Sequence, residues 1–166
     1  MKRISVLVFV FLVSFATSYS QSIIGGGLAL GSNSGAYNVG APGLFLQGEF
    51  YVNDKWSFSP DAIIYIVSNR VNESRGFWEV NANANYYVYE DWGLSFYGIA
   101  GLNLSTASYK IDGFGRRTNS ELGLNVGAGV NWDIQQNFTP FSEVKFTLGN
   151  YDQAVFKVGI KYQISR

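Results

Sequence analysis

The sequence predicts an all-β protein, an eight-stranded antiparallel up-and-down transmembrane β-barrel that follows a cleaved signal peptide. Three observations predict it. Apolar and polar residues alternate with a period of two over most of the chain, aromatic residues gather at one set of short turns, and the N-terminus reads as a secretory leader. The clearest alternation runs from Trp78 to Tyr89. Trp78, Val80, Ala82, Ala84, Tyr86 and Val88 occupy even positions, and Glu79, Asn81, Asn83 and Asn85 occupy odd ones. Successive side chains of a strand point to opposite faces, so this segment has one apolar face and one amide-rich face.

The leader begins Met1-Lys2-Arg3 and continues as an apolar run from Ile4 to Ala16. That run is shorter than the roughly 20 residues a spanning helix needs, and it matches the core of a signal peptide. Ser18 and Ser20 place small residues before a cut that leaves Gln21 first. Residues 1–20 are therefore read as signal peptide and 21–166 as one barrel domain. Loss of Lys2 and Arg3 leaves 10 basic against 12 acidic residues, a net charge near −2. Such a balance offers no electrostatic basis for binding nucleic acid. The absence of cysteine excludes structural disulfides. Nineteen glycines against three prolines suit strands and turns. A mean hydropathy near zero is too low for a helical membrane protein and ordinary for a barrel with a polar interior.

The strands follow in order. The first, 22–30, sets Ile24, Leu28 and Leu30 on one face and is rich in glycine; Gly25-Gly26-Gly27 lacks the lysine and helix of a phosphate loop, and fits small residues facing a crowded interior. The second, 43–53, opposes Leu44, Leu46, Phe50 and Val52 to Gln47, Glu49 and Tyr51. Asn53-Asp54-Lys55 is a tight turn. The third, 56–67, sends Phe58, Ala62, Ile64 and Ile66 outward and Ser57, Ser59 and Asp61 inward, with a bulge expected at Pro60. The fourth is the Trp78 segment, ended by Glu90-Asp91-Trp92-Gly93. The fifth, 94–105, and the sixth, 120–132, continue the alternation, the sixth opposing Leu122, Leu124, Val126 and Val130 to Glu121, Asn125 and Asn131. The seventh, 138–149, sets Val144, Phe146 and Leu148 against Glu143, Lys145 and Thr147. The eighth, 154–165, sets Phe156, Val158 and Ile160 against Lys157 and Lys161.

Connections at 53–55, 90–93 and 133–137 are short, whereas those at 31–42, 68–76 and 106–119 are longer and polar or glycine-rich. Alternation alone does not separate a soluble barrel, which hides its apolar face, from a membrane barrel, which shows it to lipid. The flanks do. Phe50, Trp56, Tyr86, Tyr89, Trp92, Trp132 and Phe138 all sit beside the short turns, where an interfacial aromatic girdle belongs. Glu49, Asp61, Glu79, Glu121, Glu143, Lys145, Lys157 and Lys161 lie mid-strand on the polar face. In so narrow a barrel these charges are expected to pair with one another, closing the lumen and holding strand register.

The segments Asn81-Ala82-Asn83-Ala84-Asn85-Tyr86-Tyr87, Tyr97-Gly98-Ile99-Ala100-Gly101-Leu102-Asn103, Gly123-Leu124-Asn125-Val126-Gly127-Ala128-Gly129, Pro140-Phe141-Ser142-Glu143-Val144-Lys145-Phe146 and Val158-Gly159-Ile160-Lys161-Tyr162 carry a resemblance over the whole mature chain. The chain resembles the small outer-membrane β-barrel family of the outer membrane protein A/X type, in the porin-family form found in Bacteroidetes-like bacteria. The resemblance implies a place in the bacterial outer membrane, contact with its lipid and lipopolysaccharide, handling by the barrel assembly machinery, and a monomeric state. Such proteins usually end on an aromatic residue, whereas this chain ends Tyr162-Gln163-Ile164-Ser165-Arg166; either Tyr162 serves in its place or assembly tolerates the shift.

Nothing here points to an enzyme. With no histidine and no cysteine, Ser-His and Cys-His sites are excluded and the commonest metal ligands are missing. No catalytic, metal or cofactor site is expected. Lys110, Arg116 and Arg117 stand out as basic residues of the longest outer loop. The function expected is a structural, envelope-integrity or surface-interaction role with a closed lumen. The alternatives are a narrow porin-like channel for ions or small solutes and a soluble periplasmic lipocalin-like binding protein.

Overall fold

The computed structural model describes residues 22–32, 40–67, 73–111, 115–134 and 137–165. The expected signal peptide lies outside the described residues, as do parts of the connections at 31–42, 68–76 and 106–119. The strands are β1 (Ser22–Gly31), β2 (Ala41–Tyr51), β3 (Trp56–Tyr65), β4 (Glu73–Asp91), β5 (Leu94–Ile111), β6 (Gly115–Trp132), β7 (Phe138–Gly149) and β8 (Gln153–Ser165). Each pairs antiparallel with the next, and β1 pairs with β8, so the sheet closes on itself. Closure leaves no sheet edge within the barrel wall, the condition under which strands can cross lipid.

The alternation decides what faces where. Leu122 is 75% exposed and Ile64 68%, while Glu49, Glu79 and Lys145 are fully buried. Charges fill the inside and aliphatic side chains coat the outside, the polarity of a membrane barrel. A lipocalin-like soluble barrel would invert it, and that arrangement does not form. One end carries the short turns and both ends of the described chain; the other carries the longer connections. We call them the turn end and the loop end.

Glycine on the inner face answers the question of how side chains fit. Four inward aromatics each stand directly opposite a glycine on the neighbouring strand: Phe45 opposite Gly27, Tyr65 opposite Gly43, Tyr97 opposite Gly129, and Phe141 opposite Gly159. A Cβ at Gly129 would lie 2.4 Å from the Tyr97 ring, and one at Gly159 would lie 2.9 Å from the Phe45 ring. Rings lie directly on three of these glycines: Tyr65 on Gly43, Tyr97 on Gly129 and Phe45 on Gly159. The rings are thereby folded flat across the lumen instead of colliding at its axis.

Three details depart from the sequence expectation. Pro60 makes no bulge: the β2–β3 pairing lapses between Gln47↔Asp61 and Phe50↔Phe58, yet the register on either side is unchanged. A missing N–H breaks a ladder locally without requiring an extra residue. The bulge in this region is at Val88, the residue inserted between Tyr87↔Tyr97 and Tyr89↔Phe96. It breaks the parity, so Tyr87 is buried while both Val88 and Tyr89 face outward. The third departure is length. β4, β5 and β6 have 19, 18 and 18 residues, and most of the expected loop 106–119 is strand. Together they form a three-stranded arm at the loop end, beyond the last β3–β4 pair (Tyr65↔Phe77) and the first β6–β7 pair (Gly123↔Gly149).

The turns show their chemistry. Asn53 Oδ1 accepts hydrogen bonds from the backbone N–H of Lys55 (2.9 Å) and Trp56 (3.0 Å). The β4–β5 turn places Trp92 at φ 56° and Gly93 at φ 75°. A two-residue hairpin turn needs positive φ at both positions, which glycine and asparagine adopt readily and a tryptophan does not.

Two outcomes follow for urea unfolding in detergent micelles. Trp92→Asn raises stability by about 1 kcal/mol through relief of that backbone conformation; an unchanged or lower value would show that the conformation costs nothing here. Gly129→Val lowers stability by about 2–3 kcal/mol. In a double-mutant cycle most of that loss disappears once Tyr97 is already alanine.

Candidate functional site

The residues with chemistry converge on the lumen, and alternation brings them there from seven strands. Glu49 (β2) is ion-paired with Lys161 (β8) at 2.7 Å. It also accepts hydrogen bonds from Ser57 (2.6 Å), Tyr87 (2.7 Å) and Asn85 (3.1 Å). The Lys161 ammonium donates to Asn131 Oδ1 at 2.9 Å and lies over the rings of Tyr97 and Phe141 at 4.9 and 4.7 Å. Tyr97 donates its hydroxyl proton to Glu143 at 2.8 Å. Glu143 pairs with Lys157 at 2.5 Å, and Lys157 pairs with Asp61 at 3.3 Å.

From Asp61 the network continues through amides. Asn81 and Asn83 donate to the Asp61 carboxylate at 2.7 and 3.0 Å. Asn125 donates to the side-chain oxygens of both, and Thr147 donates to Asn125 at 2.9 Å. Asn81 and Asn83 are thus acceptors and donors at once, which an amide can be and a carboxylate cannot. β1 adds no charge. Its inward residues are Gly25, Gly27, Ala29 and Gly31, and they make room: a Cβ at Gly25 would touch the Lys161 stem at 3.3 Å.

On either side of this polar layer aromatic rings pack against one another inside the barrel. At the turn end Tyr51 stacks on Tyr87 (5.5 Å between centroids), which packs on Tyr97 (5.1 Å). Toward the loop end Tyr65 lies on Phe77 (5.2 Å), and Phe77 meets Tyr151 edge-on (6.3 Å). Sequence reasoning set out the polar lumen and missed these inward apolar residues, Phe45, Ile63, Phe77, Ile99, Phe141 and Val155. The signal was present: each has inward parity, and two of the aromatics face a glycine.

Three lumen residues depart from the expected paired network. Glu121 has inward parity but sits at the loop-end rim, half-buried, where Asn119 (3.0 Å) and Asn150 (2.8 Å) donate to it. It lies beyond the ion-paired layer because β6 is longer than its mid-strand position implied. Lys145 is fully buried yet has no hydrogen bond or ion pair among the described residues. It shares β7 with Glu143, but direct cross-strand pairing places Lys157, not Lys145, against Glu143. Glu79 likewise has no ion-paired lysine among the described residues; it accepts from Gln153 and, at 3.4 Å, from Tyr65. Gln47 Nε2 and Gln153 Oε1 also lack hydrogen-bond partners.

On the outer surface Trp56, Tyr86, Tyr89, Trp132 and Phe138 are exposed at the turn end, Phe50 is half-buried among them, and Trp92 caps a turn at 90% exposure. Trp56 packs on Tyr86 at 4.8 Å. Phe96 and Tyr162 complete the ring by packing on Tyr89 (6.0 Å) and Phe138 (5.1 Å). At the opposite end Lys110, Arg116 and Arg117 are exposed on the arm, on paired strands and not in a loop: Lys110 is opposite Arg116, and Tyr109 is opposite Arg117.

No protein-family model matches the chain, and no curated protein matches it in sequence. Solved structures do match in fold. Ail, the attachment invasion locus protein of Yersinia pestis, superposes with a TM-score of 0.67 at 17% identity over 88% of this chain and 99% of that one. The N-terminal β-barrel domain of Pseudomonas aeruginosa OprF gives 0.66 at 14% identity over 89% and 100%. Neisserial surface protein A gives 0.64 at 17% over 87% and 97%. The fold is therefore that of the small bacterial outer-membrane β-barrels.

The network makes the two central lysines unequal. Lys157→Met strands Glu143 and Asp61 without their cation and lowers stability by about 3–5 kcal/mol, whereas Lys145→Met changes it by no more than about 1 kcal/mol. Urea unfolding in micelles measures both, and equal losses would overturn the assignment of Lys157 as the linking cation.

Proposed function

We propose that this chain is a closed outer-membrane barrel that works at its surface: it braces the envelope and presents the β4–β6 arm to the outside. The observation that carries this reading is the filled lumen, in which rings close both ends of a buried layer of ion pairs and amides. That filling argues against a continuous water path, and a paired charge could move aside only by abandoning its partner inside a medium of low dielectric. Short turns belong to the periplasmic side of such barrels and longer connections to the outer side, so the turn-end girdle lies at the periplasmic interface and the arm points outward.

The arm supports a surface role on its own terms. Residues 115–122 of β6 have no strand partner on the β7 side, so the arm offers an open edge to which an extended segment of a partner could add. Ail is an attachment protein by name, and one structure of it holds the heparin analogue sucrose octasulfate. A role in attachment is in keeping with that likeness. The absence of histidine and cysteine removes the usual nucleophile–base pairs, so we assign no catalytic role.

A narrow channel is the second reading, and one observation favours it. Lys145, Gln47 and Gln153 leave polar atoms unpaired, which marks the least tightly bonded part of the lumen. Planar-bilayer recording separates the two readings. The closed barrel gives no discrete conductance steps, in the native chain or in Lys145→Ala. Discrete steps that change in Lys145→Ala would overturn it. Trypsin added to intact cells tests the orientation separately: cleavage within the arm, at Lys110, Arg116 or Arg117, is expected, and complete protection would place the arm elsewhere.

A further inference from the structure

A fault in the barrel wall lies where Pro60 faces Gly48. Between β2 and β3, directly opposed even-numbered residues carry the hydrogen bonds: Ile66 N–H donates to the Pro42 carbonyl at 2.7 Å, and Val52 N–H to the Trp56 carbonyl at 2.8 Å. The register through Gln47↔Asp61 and Phe50↔Phe58 sets Gly48 opposite Pro60 at another such position, where each residue should donate to the other. Proline has no N–H, so β3 supplies no donor for the Gly48 carbonyl. The pairing lapses at that point and resumes in the same register beyond it.

A hollow lies over the fault. On the lipid-facing side a groove of about 410 Å³ is lined by Ile24, Leu46, Phe50, Pro60, Ala62 and Val80, with Gly48 among them. Gly48 has no side chain to fill it, and the next outward residue across β3 and β4, Ala82 opposite Pro60, is also small. An apolar hollow of this size with a single polar group in its wall has the make-up of a small-molecule site. A carbonyl without a donor is costly in hydrocarbon, where no water can satisfy it. The depth is defined as well. Gly48 is two residues from the girdle residue Phe50, about 7 Å along the strand and roughly 5 Å along the membrane normal at a usual barrel tilt. The carbonyl therefore lies just beneath the head groups, at the level where acyl chains begin.

We infer that this groove is a site for a lysophospholipid, whose single acyl chain lies against Ile24, Leu46 and Val80 and whose free glycerol hydroxyl donates to the Gly48 carbonyl. A diacyl phospholipid has both of these glycerol oxygens esterified. Esters accept hydrogen bonds and do not donate them, so a diacyl lipid over the groove leaves the carbonyl bare. The free hydroxyl of a lysophospholipid stands at the junction of chain and head group, which is the level of the carbonyl. Discrimination then comes from one hydrogen bond, made in a place where the alternative is an unpaired polar group. The inference rests on the barrel spanning a membrane and does not depend on the role of the arm.

The test reconstitutes the full chain in bilayers of diacylphosphatidylcholine and adds traces of chain-spin-labelled lipids, whose immobilised fraction gives their relative affinity for the barrel. Lysophosphatidylcholine is held about tenfold more strongly than its analogue with hydrogen in place of the free hydroxyl, and than labelled diacylphosphatidylcholine. Pro60→Ala restores the missing N–H, which takes the Gly48 carbonyl, and the tenfold preference disappears. Ala62→Phe fills the groove and lowers the affinity for lysophosphatidylcholine to that of the diacyl lipid; Val80→Trp does the same from the β4 side should the first variant fail to fold. Equal affinity for lysophosphatidylcholine and its deoxy analogue, or a preference that survives in Pro60→Ala, would overturn the carbonyl as the acceptor. A preference that survives in both groove-filling variants would place the lipid elsewhere. Equal affinity for a free 3-hydroxy fatty acid would make this a site for hydroxylated chains and overturn the lysophospholipid assignment. The bilayer is symmetric, so none of these outcomes depends on which way the arm points, and this inference fails separately from the surface role.

Discussion

A charge inside this barrel is tolerable only with a partner, and most of the structure follows from that constraint. Glu49, Asp61 and Glu143 come from three different strands, and Lys157 and Lys161 from a fourth. Glu49–Lys161 and Asp61–Lys157 join strands distant in sequence and Glu143–Lys157 joins neighbouring ones, so shifting any one strand by a residue would send its charge into lipid and leave a buried partner alone. The pairs therefore act less as a source of stability than as a specification of register. The asparagines extend the same logic to β4, β5 and β6, where amides donate and accept in chains without adding charge.

Packing supplies the other half of the interior. A barrel of eight strands has just enough room for its own side chains, and here the room is divided between rings and the glycines beneath them. The glycine-rich inner face of β1 is the clearest case. It bears no functional group, yet Lys161 occupies the space left beside Gly25 and Tyr65 the space left beside Gly31. The same arrangement makes the lumen a core, and it moves the surface on which this protein can meet anything else to the arm and the girdle. Those two regions lie at opposite ends of one sheet and differ in kind: aromatic and interfacial at the turn end, polar and cationic on strands that outgrow the barrel at the loop end.

Much of this was legible in the chain. The alternation in the Trp78 segment located the two faces, since a period of two is a local property of extended backbone. The girdle residues could be named because they sit beside turns with their own signals, such as Asn53-Asp54. The lumen residues were also named, but not their partners. Lys145 and Lys157 both have inward parity and the same chemistry, and only the register between β7 and β8 puts Lys157 on Glu143 and leaves Lys145 with no hydrogen bond or ion pair among the described residues. The inward rings at Phe45 and Phe141 were passed over because a polar lumen was expected to be polar throughout.

The sequence by itself therefore determined the strands, the parity of their residues up to the Val88 bulge, the apolar exterior and the absence of common catalytic groups. These depend on near neighbours along the chain and on composition. Tertiary structure decided which charges meet, which rings rest on which glycines, how Val88 breaks the parity of β4, and that the basic residues of the supposed loop stand in register on an arm. All four depend on how one strand is set against another, and that offset is decided only when the sheet closes and every inward residue must find its place at once.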